Sequence, residues 1–355
     1  MSTTPLIHDY PHRMGGHCGS GALRDLMHWH GLGWDGPPDE GLVFTLGGAL
    51  GLSYVRSNEL MPPVYLVGRG SSFEIDLPRR LGGEVAVLTT DDPEEGWDWV
   101  RHEVDAGRPS LIWGDIAELP YLRVKLQMSR HDVVVIGYDT ERGIAHVVDN
   151  DRAEVQEVPL DALARARSSV SFPEPTRHCT YKIEWPSELP SLGAVAADAF
   201  QQSAARMRQP SGPGIIDLAA SGAGAEGLDG VALLASDVRG WADLPSGELE
   251  LLLLSLGAFI EKAGTGGGLF RRLLANGCRD VARLTGDEAT SELADVADRC
   301  ATAWTKLAKA STNREADLLA RAHAAAIAAD DLPTLEASVT DALEVAALSL
   351  AHAAL

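Results

Sequence analysis

The sequence predicts an α+β domain over residues 1–185 followed by an all-α helical domain over residues 186–355. Three observations carry that expectation. A chain of 355 residues is too long for one small core and suits two domains of ordinary size. The first half mixes glycine, proline and aromatics with short Val- and Ile-rich runs. Past about residue 185 the texture turns to Ala, Leu and charge, with apolar positions three and four apart.

The elements follow in order. "GSGALRDLMHWHG" (19–31) and "PEEGWDWVRHEVDAG" (93–107) have helical texture. "EVAVLTT" (84–90), "SLIWGDI" (110–116), "DVVVIGYD" (132–139) and "GIAHVVDN" (143–150) read as strands bounded by turn residues. The proline-rich stretch 171–192 reads as a linker. Six helix candidates come after it: 192–208, 248–264, 268–286, 289–311, 314–330 and 332–355. Several begin after Ser, Thr or Asp or end at Gly, as helix termini should.

Hydrophobic residues make up 45% and charged residues 23%, which implies a globular chain throughout. No apolar run approaches the roughly 20 residues of a membrane helix, and residues 1–16 lack the charged-then-apolar pattern of a signal peptide. Cys18, Cys179, Cys278 and Cys300 form no C-x-x-C pair. With no secretion signal the thiols are expected reduced and the protein cytoplasmic. A net charge of −21 argues against DNA or RNA and fits either a cationic small molecule or plain solubility.

No metal site is expected. His28 and His30, two apart on a helix, point apart. The glycine-rich segments 45–51 and 264–272 lack the strand context or lysine of a nucleotide loop, so no cofactor is expected either. Trp97 and Trp99 read as packing residues.

Chemistry points to Cys18. It follows Gly15, Gly16 and His17 and directly precedes a helix. First-turn amides lack intrahelical partners and, with the helix dipole, favour an anion there. A thiol so placed is more acidic, and the same amides suit a developing oxyanion. A base and an orienting acid are supplied by "SRHDVVVIGYDTERGIAHVVDND" (129–151), which reads as a hairpin. If its turn holds residues 140–142, His131 falls opposite Asp151 and Val133 opposite Asp149, both acids on the histidine's face. A shift of one residue moves Asp149 to the other face, so the pattern leaves the choice of acid open. Cysteine, then histidine at a strand start, then carboxylate is the papain-type order.

These motifs resemble the butirosin biosynthesis protein H family. The resemblance rests on "HCGSGAL" (17–23), "DEGLVFTLGGALGLSY" (39–54), "IWGDIAELPY" (112–121), "HDVVVIGYD" (131–139) and "VVDND" (147–151), with "GTGGGLFRR" (264–272) in the second half. It implies a papain-like cysteine-protease-type domain that moves an acyl group from an acyl carrier protein thioester onto an amine. Residue by residue it makes Cys18 the acyl-accepting nucleophile, His131 the base and Asp149 the orienting acid. The upstream segment 9–18 lacks the glutamine of papain-like peptidases, so His17 or Arg13 joins the Cys18 amide as candidate oxyanion donor. The family's Ser-Glu is here Asp39-Glu40, which places Glu40 near the expected substrate cleft. Asp115 and Tyr121 are candidates to line that cleft, and Arg271 and Arg272 to meet the phosphopantetheine phosphate or the carrier's acidic surface. Phosphopantetheine would arrive on the carrier. An Ala/Leu-rich helical domain is compatible with a homodimer. Rival readings are a peptidase or amidase, a cyclase acting on a carrier-bound chain, and a non-catalytic binding module.

Overall fold

A computed structural model describes residues 5–209 and 223–353. In chain order it runs α1 (Cys18–Trp29), α2 (Glu40–Leu46), β1 (Leu50–Arg56), β2 (Val64–Arg69), α3 (Phe73–Arg80), β3 (Glu84–Leu88), α4 (Pro93–Asp105), β4 (Ser110–Gly114), β5 (His131–Asp139), β6 (Ile144–Val148), β7 (Gln156–Pro159), α5 (Leu160–Arg167) and β8 (Thr180–Glu184). It continues with α6 (Leu192–Arg208), β9 (Ala223–Glu226), α7 (Gly227–Arg239), α8 (Ser246–Glu261), α9 (Arg271–Thr285), α10 (Glu288–Thr312), α11 (Leu318–Ala329) and α12 (Leu332–Ala353). Residues 1–4 of the N-terminal segment and the last two residues of the expected 332–355 helix lie outside the described residues. Among the described residues, no helix is long and apolar enough to cross a membrane.

The fold is mixed α and β, in two compact units: Met1–Glu40 with Leu81–Leu189, and Gly41–Arg80 with Pro190–Leu355. The chain therefore passes between units at 40/41 and 80/81 as well as at 189/190, where the sequence suggested a single boundary at 185/186.

The first unit is built on a six-stranded antiparallel sheet of order β3-β8-β4-β5-β6-β7. Strand β8 lies within the stretch expected to be a linker. Prolines flank it, but "TYKIE" alternates in β fashion and completes the sheet between β3 and β4. One face of the sheet carries the core. Ile112, Val133, Val135, Ala145, Val147 and Val158 point at Val100 and Val104 of α4 and at Ala162, Leu163 and Ala166 of α5. Strand residues alternate faces, so Asp132 and the buried Val134 face away from that core. Helix α1 packs against β5. At about 25 cal/mol per Å² of apolar surface removed from water, burial of such β-branched runs is the main stabilising term.

The hairpin register differs in detail from the simplest expectation. Asp139 pairs with Ile144, so the loop is one residue longer than a three-residue turn. A bulge between Val135 and Gly137 then takes up one residue, and Val134 pairs with Val148. Continuing that ladder sets Asp149 level with Val133, where a three-residue turn without a bulge would also have put it.

The second unit is not all-α. Its helices accompany a three-stranded antiparallel sheet, β2-β1-β9, two strands of which come from the segment 41–80. The sequence missed it because "LGLSYVR" follows a glycine run and is buried almost throughout, without polar alternation. The connection from α8 to α9 is left-handed: Gly266, Gly267 and Gly268 have φ of 63°, 88° and 55°, and Leu269 and Phe270 follow at 50° and 70°. Positive φ in two bulky residues is strained by about 1–3 kcal/mol each. Both side chains are buried, with Phe270 stacked on Phe44 at 5.4 Å between ring centroids.

Candidate active site

The first unit gathers Cys18, His131 and Asp149. Cys18 is the first residue of α1. His17 caps that helix, extended at φ −141° and ψ 137°, and its Nδ1 accepts the Ser20 amide at 3.1 Å. Among the described residues, the Cys18 and Gly19 amides have no intramolecular acceptor, which leaves two helix N-terminal donors beside the sulfur. Cys18 is buried, with 9% of the residue exposed.

The preceding loop is held by Glu40. Its carboxylate accepts the Gly16 and His17 amides, both at 2.8 Å, and the Ser20 hydroxyl at 2.9 Å. Behind α1, buried Asp25 accepts from His12 Nδ1 and Arg24 Nε, both at 2.8 Å, and Arg24 also binds the Met14 carbonyl. Polar groups this buried persist only when partnered, and these partners fix the loop that delivers Cys18.

His131 opens β5 and pairs across to Gly114. Its Nε2 lies 2.7 Å from Asp149 Oδ2, so Nδ1 is the ring nitrogen left for the Cys18 sulfur, with which His131 shares a hydrogen bond. Asp149 sits just beyond β6, its side chain fully buried. The Tyr121 hydroxyl donates to the same Oδ2 at 2.6 Å, and the Asp151 amide donates to Oδ1 at 3.1 Å. The Asp151 side chain instead pairs with Arg152, largely in solvent. Strand β6 ends at Val148 and the chain turns there, the Arg152 amide donating to the Asp149 carbonyl at 3.0 Å, so Asp149 and not Asp151 meets His131.

Electrostatics follow from these contacts. Burial alone pushes the Cys18 thiol up, but the neighbouring His17 and His131 imidazoles bring its pKa well below the ordinary thiol value. Burial disfavours the His131 imidazolium, yet the charge and hydrogen bond of Asp149, with Cys18, raise its pKa well above the usual histidine value. Burial raises the Asp149 carboxyl, and His131 and Tyr121 outweigh it, so its pKa is lowered. Burial beside Asp149 holds the Tyr121 phenol protonated, its pKa raised well above normal. The arrangement favours a thiolate–imidazolium pair.

The other expected residues sit differently. His17 caps the helix and faces the sulfur. Glu40 holds the nucleophile loop, and Tyr121 holds Asp149. Asp115 is a correction: it is fully buried, accepts the Ala117 and Met128 amides and the Ser169 hydroxyl, and so shapes the turn after β4 rather than a cleft. Arg271 is a second correction. It is fully buried, bound to Glu336 at 2.7 Å and to the Gly68, Leu269 and Gly51 carbonyls, with its guanidinium over Trp304. No donor face is left for a phosphate. Arg272 is more exposed and pairs with Asp298 at 3.3 Å.

Sequence reasoning missed Asp132. It is 2% exposed, and its Oδ2 accepts from Cys18 Sγ at 3.7 Å. The signal available was its place beside His131 at the head of the strand that α1 packs against.

Comparison with known families places the chain. Residues 17–150 match the model of "Butirosin biosynthesis protein H, N-terminal", a span that runs from the cap of α1 past Asp149. Residues 161–343 match "Domain of unknown function (DUF4872)", more than half of the chain. The protein belongs to the butirosin biosynthesis protein H-like family. No curated protein matches it.

Proposed function

We propose that this chain is an enzyme of antibiotic biosynthesis, a cysteine-dependent acyltransferase with a papain-like first domain. It takes an acyl or aminoacyl group from an acyl carrier protein thioester onto Cys18 and passes it to an amine. The observation that carries this reading is the chain of contacts from Cys18 through His131 to Asp149, with Tyr121 behind it.

In the first half-reaction the Cys18 thiolate attacks the thioester carbonyl. The Cys18 and Gly19 amides stabilise the oxyanion, worth of order 10²–10³ in rate per donor. The new C–S bond forms, the carrier's C–S bond breaks, and His131 gives its proton to the departing thiol. In the second half the amine attacks the Cys18 thioester, neutral His131 accepts a proton from nitrogen, and the thiolate leaves. Exchange between thioesters is nearly thermoneutral, and amide formation drives the sequence. Asp149 sets the ring tautomer and supports the imidazolium. The antiparallel sheet, the helix-borne cysteine packed on the histidine strand, and the order Cys, His, Asp support the papain-like reading.

The test is intact-mass analysis after mixing with a carrier-bound or pantetheine thioester. Wild type gains one acyl mass at Cys18, and Cys18→Ala gains none and transfers nothing. Normal turnover by Cys18→Ala excludes the mechanism.

A further inference from the structure

The two arginines expected to meet a carrier protein are already engaged: Arg271 is buried on Glu336, and Arg272 pairs with Asp298. Cations without a partner stand elsewhere, on the loop that precedes β5. Among the described residues of the first unit, every arginine and lysine outside that loop pairs with a carboxylate or, as Arg167, is buried against carbonyls. Arg123 and Lys125 are exposed and, among the described residues, meet no carboxylate. The loop is fixed at both ends. At its entry the Tyr121 hydroxyl holds Asp149, and the Tyr121 carbonyl accepts from Arg152 at 2.8 Å. At its exit the Met128 amide donates to buried Asp115 at 3.1 Å, and the Met128 carbonyl accepts the Ile116 amide at 3.2 Å. His131 follows three residues later.

Between those anchors residues 123–127 are all exposed and make no hydrogen bond among the described residues. Arg123 is held at φ 56°, a left-handed backbone unfavourable for a non-glycine residue. Val124 and Leu126 are 37% and 48% exposed beside the two cations. We propose that this loop is the docking surface for the acyl carrier protein, with Arg123 and Lys125 meeting acidic side chains on the carrier and Val124 and Leu126 covered by it. The inference rests on the acyl-transfer reading above and adds to it the surface that receives the partner.

Charge complementarity selects this occupant. A net charge of −21 repels an acidic partner at long range. At physiological ionic strength that repulsion is screened beyond about 8 Å, so contact charges decide where the carrier lands. Every other cation of the first unit is held by its own chain. Charges at the rim of an interface set encounter rate and partner choice, and apolar side chains among them supply contact area. A carrier seated here meets the segment that joins Tyr121 to His131, at the relay it has to serve.

The test compares three acetyl donors on the full chain. The N-acetylcysteamine thioester has neither protein nor phosphate, the phosphopantetheine thioester has phosphate alone, and acetyl-loaded acyl carrier protein of the fatty-acid type has both. Intact mass follows acetyl arriving on Cys18. Wild type should take acetyl from the carrier with the lowest KM of the three. Arg123→Glu with Lys125→Glu should lower the ratio of kcat/KM for the carrier to that for N-acetylcysteamine by at least about tenfold, through KM. Arg123→Lys with Lys125→Arg should keep most of that ratio. Added salt should lower it in wild type and not in the charge-reversed variant. Each ratio is taken on one preparation, so a loss of folded protein cancels, and Arg123→Ala with Lys125→Ala read the same way replaces the charge reversal if that variant does not fold. An unchanged ratio overturns the proposal. So does equal slowing with all three donors, because the loop would then only hold Tyr121 and Asp149 in place. Equal slowing with the carrier and the phosphopantetheine thioester, with N-acetylcysteamine spared, overturns it in favour of a phosphate site. Wild type that acetylates from the small donors with no preference for the carrier overturns docking and leaves acyl transfer standing. Absence of acetyl on wild-type Cys18 from every donor overturns the acyl-transfer reading itself.

Discussion

Cys18 in the first unit and Cys278 in the second are both buried thiols at helical positions, and their protonation is driven in opposite directions. Cys278 is interior to α9, fully buried, and burial pushes its pKa far above the usual thiol value with only a weak opposing effect from Arg279. Cys300 in α10 goes the same way, raised first by burial and then by the charge of Glu336. Cys18 carries a burial penalty too, yet two imidazoles outweigh it and its pKa falls. Burial therefore does not decide whether a cysteine is inert or reactive. The neighbours do, and at Cys18 they are held in place by Glu40, Asp149 and Tyr121.

The sharpest break of that comparison is alkylation of the native protein. Iodoacetamide at neutral pH should modify Cys18 more than about a hundredfold faster than Cys278 or Cys300, since each unit of pKa separation is tenfold in thiolate fraction. Peptide mapping after a short pulse reads the ratio. Comparable rates would mean that the imidazoles do not activate Cys18.

Removing the orienting acid is the next largest effect. Asp149→Asn should cut acyl transfer by about 10²–10⁴, by analogy with the loss of other triad acids. The pH dependence gives the sign. Cys18 has a lowered pKa, so wild-type alkylation stays fast well below pH 9 and falls only as pH drops through that lowered value. Asp149 is the main group raising His131. Without it the imidazolium is lost at a lower pH, its pull on the thiol weakens, and the alkylation curve moves to higher pH. The stability linkage agrees. The raised His131 contributes stability that is full below about pH 6.5 and is lost as pH rises through its folded value. In Asp149→Asn that loss should still begin near pH 6.5 but be smaller and complete at a lower pH.

The site was largely legible because its parts lie next to local signals. A cysteine after two glycines at a helix start and a histidine opening a hairpin can be read from spacing. The choice of Asp149 over Asp151 could not, because it depends on where β6 ends: the ladder stops at Val148 and the chain turns through 149–152, so a register count carried on to Asp151 does not apply. The second unit's sheet was hidden for a different reason. Strands β1 and β2 lie far in sequence from β9, and such non-local pairing leaves no periodic mark. Arg271 misled through its position: a solvent-facing arginine and a buried, paired one look the same in sequence.

That buried arginine supplies the next test. Its partner Glu336 is fully buried too, so Arg271→Met alone should destabilise the protein by about 3–5 kcal/mol by leaving an uncompensated charge. Arg271→Met with Glu336→Leu should recover much of the loss, because the pair's desolvation disappears with it. Urea melts of the single and double variants check this. A single variant as stable as wild type would mean that the two charges do not depend on each other.

Tyr121 carries the smallest expected effect and the finest distinction. Its hydroxyl donates to the Asp149 oxygen that also meets His131. Tyr121→Phe removes one bond to a charged acceptor, of a kind worth about 1.5–3 kcal/mol, while Asp149 keeps His131 and the Asp151 amide. Only the part of that energy that differs between protonation states of the relay reaches the sulfur. The Asp149 carboxyl should rise, its hold on the imidazolium should weaken slightly, and the Cys18 alkylation curve should move up by a fraction of a pH unit, well short of the Asp149→Asn shift. Transfer should fall by no more than about tenfold. Had Tyr121 bound substrate, as its sequence position suggested, the same change would raise KM and leave the alkylation curve where it was. The pH midpoint of alkylation in Tyr121→Phe therefore tells a residue that holds the acid from one that touches the ligand.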